Sequence, residues 1–186
     1  MPDAAAQPPF DMVRPERDLS MPVPVADVVN RFLELADREG NRISPLELQK
    51  LVYFAHGWHL ALSGEPLIDD EPFEAWDFGP VLRSVYDAFK SFGGQPIVDR
   101  RMPHAHRATS EPMAPGSFAE RVVDRVWKKY GHLTGGEMVA RTHGTNSPWR
   151  QVYKPRENRR IPGEIIHEHF ESLKEISASR RPVQGS

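Results

Sequence analysis

The sequence contains no cysteine. That excludes a disulfide framework, thiol nucleophiles and thiolate-bound zinc or iron–sulfur clusters, and it suits a reducing cytoplasm. No run reaches the roughly 18 apolar residues needed to span a bilayer, and the opening "MPDAAAQPPFDMVRPERD" has neither a basic start nor an apolar core of the signal-peptide type. A cytoplasmic protein without membrane attachment is therefore expected. The local signatures of several enzyme classes are also missing: there is no G-x-S-x-G elbow, no H-E-x-x-H, no P-loop and no G-x-G-x-x-G. The pairs Gly93-Gly94 and Gly135-Gly136 stand alone, as such pairs commonly do in loops and at helix starts. A formal net charge of −2 gives no general attraction to nucleic acid or to an anionic membrane.

What is present is enough for one core. With 186 residues and 39% hydrophobic content, a single compact domain is the natural reading. Residues 1–22 are rich in Pro and Ala without apolar periodicity, and residues 178–186 are similar, so a disordered N-terminal arm and a flexible C-terminal tail are expected to flank a globular domain over 23–177. Between 91 and 117 lies a long Pro-rich loop, with "QPIVD" as its one candidate strand.

The helical signals are local and physical. In residues 24–39, Val25, Val28, Val29, Phe32, Leu35 and Ala36 share one face, and Asp27, Asn30, Glu34 and Arg38 the other. Ser44, Pro45 and Glu47 form a capping box with proline at the first helical position, and Gly64 ends that helix. Between them the sequence is apolar on nearly every side, which marks the centre of the domain. "EPLIDDEPFEAWDFGP" reads as a short hairpin, after which Pro80 is expected to open a helix that turns Val81, Leu82, Val85, Tyr86 and Phe89 inward. Ser117 with Glu120 and Thr134 with Glu137 cap two further helices, and a last one over about 163–177 carries Ile165, Ile166, Phe170, Leu173 and Ile176 inward. The expected fold class is mainly α (α+β): about six helices around a central buried helix, with a small antiparallel β-hairpin or sheet.

Histidine and charge supply the remaining chemistry. His56 and His59 sit about 60° apart on the central helix, with His59 in the apolar stripe, where a hydrogen-bonded core histidine is the default. His167 and His169 point about 160° apart and cannot grip one ion, and His104 with His106 lack a third ligand in their loop. No metal, cofactor or catalytic residue is assigned. Six acids between Glu65 and Asp77 face no base in sequence, and five bases between Arg150 and Arg160 face only Glu157. These segments are solvated loops or meet each other in the fold; the sharper alternative is a pair of patches for a charged partner. "PWRQVYKPRENRR" is the one candidate for nucleic-acid contact, which the overall acidity and the lack of a recognition helix do not favour.

Three separated motifs carry a resemblance. "SPLELQKLVYFAHGWHLALSG", "FEAWDFGP" and "THGTNSPW" stand in order. Together they resemble the Panacea domain (phage-associated protein, GepA-like) family, with its L-Q-K-L-x-Y-x-A helix, F-E-A-W-x-x-G-P segment and T-H-x-x-x-S-P-W element. The SocA-like antitoxin branch is the best match within it. The resemblance implies a non-enzymatic antitoxin that binds a cognate protein toxin. In the SocA-like branch it implies a proteolytic adaptor delivering that toxin to the ClpXP protease, with a flexible tail as the natural protease contact. Motif residues in connecting segments, with the adjoining Arg150, are then the expected partner-binding set: Trp76, Asp77, Phe78, His143, Trp149 and Arg150. A hydrolase using His56, His59 and His143, and a regulator binding nucleic acid through 149–160, are the competing readings.

Overall fold

The computed structural model describes residues 21–104 and 112–179. Most of the expected N-terminal arm, the middle of the Pro-rich loop with His106, and the last seven residues lie outside the described residues. Among the described residues there are seven α-helices and three short strands: α1 (Val25–Arg38), α2 (Pro45–Ser63), β1 (Glu74–Trp76), β2 (Gly79–Val81), α3 (Arg83–Phe89), α4 (Phe118–Tyr130), α5 (Gly135–Thr142), α6 (Pro148–Val152), β3 (Arg159–Arg160) and α7 (Gly163–Ser179). The architecture is mainly helical with a small antiparallel sheet, as expected.

Helix α2 is the axis of the fold because its sequence leaves it no side for water. The capping box forms as read: the Ser44 hydroxyl accepts from the Glu47 N–H, and the Glu47 carboxylate accepts from the Ser44 N–H (2.7 Å). Gly64 closes the helix in the left-handed conformation (φ +81) that an L side chain resists. Leu48, Leu51, Val52, Ala55 and Trp58 are fully enclosed, and α2 packs against α1, α3, α4, α5, α7 and β2. Gly57 sets the approach of α7, since a Cβ there would stand 2.2 Å from Phe170 Cε2. Only a glycine lets the two helices meet at that distance.

Helix α1 buries Val28, Val29 and Phe32 as its periodicity predicts, and Arg31 forks onto Asp124 of α4 with two 2.8 Å bonds. Its polar face is less solvated than the pattern suggests. Asn30 brackets Met102, donating to its carbonyl (2.9 Å) and accepting from its N–H (2.8 Å), and Asp27 accepts from the Met113 N–H (2.7 Å). The two described ends of the Pro-rich loop are thus fastened to α1. "QPIVD" forms no strand; its fixed point is one backbone bond from Ile97 N–H to the Ile43 carbonyl (2.8 Å).

The sheet runs β2-β1-β3, with Trp76 opposite Gly79 at the hairpin end and Glu74 opposite Arg160 on the other side. The acidic and basic segments therefore do lie side by side, although the Glu74 carboxylate binds Arg83 (2.7 Å) rather than Arg160. Two expectations around Pro80 are corrected. Pro80 lies in β2, paired opposite Ala75, and α3 starts only at Arg83. The reason is topological: β2 is an edge strand, where a residue without an N–H costs no ladder bond. Tyr86, expected inward, is 41% exposed. Helix α3 is so short that Val85 and Phe89 alone reach the core, and the Tyr86 ring rests instead on Trp76 (4.8 Å between centroids). On α7, Ile166 and Phe170 are buried, Ile165 and Leu173 half-buried, and Ile176 exposed where the helix outruns the core.

Candidate functional site

The hairpin is where the three sequence motifs meet. From the first, Gln49 pairs with both backbone groups of Leu82, donating to its carbonyl (2.9 Å) and accepting from its N–H (3.0 Å). Its neighbour Lys50, with no exposed surface, donates to the Pro80 carbonyl (2.9 Å). From the third, Trp149 donates its indole N–H to the Trp76 carbonyl (2.7 Å). The hairpin is thus held from behind by side chains of α2 and α6. Gly79 makes room for this grip: its φ is +101, and a Cβ would lie 2.7 Å from Thr142 Oγ1 and 2.9 Å from Lys50 Nζ.

Burial without a countercharge pushes the Lys50 ammonium down to about 7, because the charged form loses its hydration and gains no carboxylate. The neutral amine can still donate to Pro80. His143 is held below its ordinary range by partial burial, by Lys50 and by Arg150. It stacks face to face on Trp149 (3.7 Å between centroids, planes 2° apart), and Trp149 stacks in turn on Tyr153 (4.3 Å). Tyr153 donates to Asp77 Oδ1 (2.9 Å), which ties this column to the turn of the hairpin.

The expected partner-binding residues therefore come together, but not with one role. Trp149 is 3% exposed and braces the hairpin. Trp76 is half-buried, its indole bonded to Glu74 (2.8 Å) with the Arg83 guanidinium 5.3 Å from its ring. Phe78, at the tip, is 69% exposed and is the most exposed large aromatic among the described residues. Arg150 is exposed on α6 and has no acidic partner among the described residues. Beside the tip lies an apolar cleft of about 540 Å³ lined by Leu46, Trp76, Phe78, Val81, Tyr86 and Arg156, among others. Sequence reading missed Tyr86 and Arg156 as part of this face. It also missed the signal in Gln49 and Lys50: two polar residues inside an otherwise apolar helix must find partners, and here the partners are the hairpin backbone.

Among the described residues the histidines do not converge on a site. His56 packs on Phe73 (5.2 Å between centroids) and His59 on Phe118 (5.3 Å), so the pair faces different neighbours. His59 Nδ1 lies 2.9 Å from the Glu65 carbonyl and so carries the proton it donates there. Burial and the nearby His59 push His56 down to about 3, which keeps it neutral. His104 pairs with Asp27 (2.5 Å), and His167 lies 3.7 Å from Glu171. A second cleft, of about 440 Å³, runs past His56, Phe73, Asp69 and Glu164. Among the described residues no three His, Asp or Glu side chains are grouped to hold a metal ion, and no helix is long and apolar enough to cross a membrane.

Comparison with known proteins agrees with this convergence of motifs. The model of the family described as Antitoxin SocA-like, Panacea domain, matches residues 48–150, which run from the central helix to the tryptophan column. Antitoxin SocA of Caulobacter vibrioides (strain NA1000 / CB15N) is 33% identical over 168 residues, covering 85% of this chain and 87% of that protein. No solved structure matches the chain. By the family model matched over residues 48–150 and by the 33% identity spanning most of both chains, the chain belongs to the SocA-like antitoxin, Panacea domain family.

Proposed function

We propose that this protein is the antitoxin of a toxin–antitoxin pair, that it binds its cognate toxin directly, and that it acts as an adaptor handing the toxin to the ClpXP protease. The observation that carries the reading is kinship with an antitoxin across most of both chains. The hairpin supports it physically: an aromatic side chain standing in solvent on a rigidly braced turn is a costly surface for a protein that works alone, and a useful one for a protein that docks another. Trp76, Asp77, Phe78, His143, Trp149 and Arg150 are the proposed partner-binding set, with Phe78 and Arg150 touching the toxin and Trp149, His143 and Asp77 holding them in place. Residues 1–22 or 178–186 dock the protease, where a tethered peptide raises the local concentration of cargo without needing a second rigid face.

The test is to co-express the neighbouring open reading frame. The expected result is that its product binds this protein, and that its half-life falls only when this protein and ClpXP are both present. Toxin that is silenced with an unchanged half-life would remove the adaptor step and leave antitoxin binding. Failure to bind at all would remove both. Deleting both tails is expected to abolish delivery while toxin binding persists.

A further inference from the structure

The cleft beside the hairpin has a shape and a charge that together describe what would fill it. Its floor and walls are apolar or aromatic, with Leu46, Val81, Trp76 and Tyr86 around the exposed Phe78. Its volume of about 540 Å³ lies within the range of sites that enclose side chains or small ligands. Its rim is basic. Two bases, Arg156 and Lys90, are on its lining, and Arg156 has no acidic partner among the described residues. Arg156 lines the cleft itself and is held at φ +65, a backbone state that a non-glycine residue adopts only under local constraint. Lys90 is paired with Asp87 (2.8 Å) and set 5.9 Å from the Tyr86 ring. Among the residues lining the cleft, Asp77 is the one acid, and it is engaged by Tyr153.

We propose that this cleft is the recognition pocket for a short segment of the toxin that presents a large apolar side chain between acidic residues. The apolar anchor enters between Phe78 and Tyr86, and the flanking carboxylates meet Arg156 and Lys90. This rests on the antitoxin reading for the identity of the partner and adds the chemistry of its docking segment. It assigns the specificity of the pair to Tyr86 and Arg156, which lie outside the family motifs, rather than to Trp149 and His143, which lie inside them. Charge at the rim steers encounter and rejects segments with basic flanks, while the anchor in the pocket sets the lifetime of the complex.

The experiment titrates the purified full-length protein with the product of the neighbouring open reading frame by calorimetry, at low and at raised salt. The double variant Phe78→Ala, Tyr86→Ala is expected to weaken binding by about tenfold or more. Arg156→Asp, which keeps a side chain tolerant of the left-handed backbone, is expected to weaken binding and flatten its salt dependence. Arg125→Glu, a charge reversal on the exposed side of α4, is expected to leave affinity unchanged. Toxin that binds the parent and the double variant equally would overturn the pocket and leave the antitoxin reading standing. If the toxin does not bind the parent, the antitoxin reading fails and a peptide arm decides the pocket by itself. Its probes are a synthetic Leu-Trp-Leu segment with aspartates on both sides and the same segment with lysines. Saturable binding of the aspartate peptide alone, lost in Phe78→Ala, supports the pocket; no saturable binding of it, or equal binding of the lysine peptide, overturns it.

Discussion

The two sides of the hairpin, Glu74 to Val81, are built on opposite rules. On the inner side the side chains that hold it bond to its backbone: Gln49 to Leu82, Lys50 to Pro80, Trp149 to Trp76. On the outer side Phe78 and Tyr86 leave 69% and 41% of their surface in water. A buried donor or acceptor that loses its partner costs the full desolvation of the group left behind, whereas an exposed ring that loses its neighbour costs almost nothing to the fold. The inner residues are therefore fixed by folding, and the outer ones are free to be set by a partner. The family motifs sample both sides, so motif membership by itself does not mark a contact residue.

Breaking the inner side should be severe. Trp149→Ala removes a buried indole that is stacked between His143 and Tyr153 and bonded to the Trp76 carbonyl. Large-to-small changes of this kind cost about 3–5 kcal/mol, and urea denaturation should place the loss in that range. Gln49→Leu keeps the side-chain volume but replaces the amide with an apolar group, and so strands the N–H and the carbonyl of Leu82. With about 1–3 kcal/mol for each buried group left unpaired, a loss of about 3 kcal/mol is expected in the same assay. A loss below about 1 kcal/mol would mean the hairpin does not depend on this clamp.

How far the sequence displayed this design follows from the range of each interaction. Caps act over three or four residues, so Ser44 with Glu47 and Thr134 with Glu137 located their helices directly. The inward face of α1 and the all-round burial of α2 are equally legible, because periodicity is local too. Pro80 was misplaced because proline gives the same local signal at the first turn of a helix and on an edge strand, and the choice depends on strand order. The partners of Gln49 and Lys50 lie 33 and 30 residues away, beyond any local rule. The spacing of Tyr86 points it to the core, but the short α3 buries only Val85 and Phe89. The motif residues of the candidate site were therefore visible in the sequence, while the cleft that Tyr86 and Arg156 complete was not.

Lys50 offers a gentler probe of the inner side. Burial pushes its ammonium down to about 7 from an ordinary value of 10.5. Below pH 7 both folded and unfolded chains hold the proton, and the full penalty of a buried charge is present and constant. Between about 7 and 10.5 the unfolded chain still holds a proton that the folded chain has released, so the unfolded state binds more protons and stability rises with pH. The slope is about 1.4 kcal/mol per pH unit once the folded amine is neutral. Burial pushes the Tyr53 hydroxyl up, so the folded chain keeps that proton where the unfolded chain sheds it, and stability falls above about pH 10. The comparison therefore belongs between about pH 7 and pH 9. Burial also pushes Lys129 down to about 8, so Lys50→Met should remove only the Lys50 share of the rise, and the stability difference between variant and parent changes steadily with pH. Parallel curves for the two proteins would show that Lys50 stays charged in the fold.

The smallest effect on the fold should come from the outer side. Phe78→Ser replaces a ring that stands in solvent at the turn, leaves the Gln49, Lys50 and Trp149 bonds untouched, and should shift the unfolding free energy by no more than about 0.5 kcal/mol. Circular dichroism and the urea midpoint should match those of the parent, while affinity for the toxin falls. The two sides then separate in one assay: Trp149→Ala is expected to lose the proposed toxin contact because the hairpin loses its shape, and Phe78→Ser to lose it with the shape intact. A Phe78→Ser protein that unfolds at markedly lower urea would place the ring in the fold rather than at the interface, and the division between the two sides would not hold.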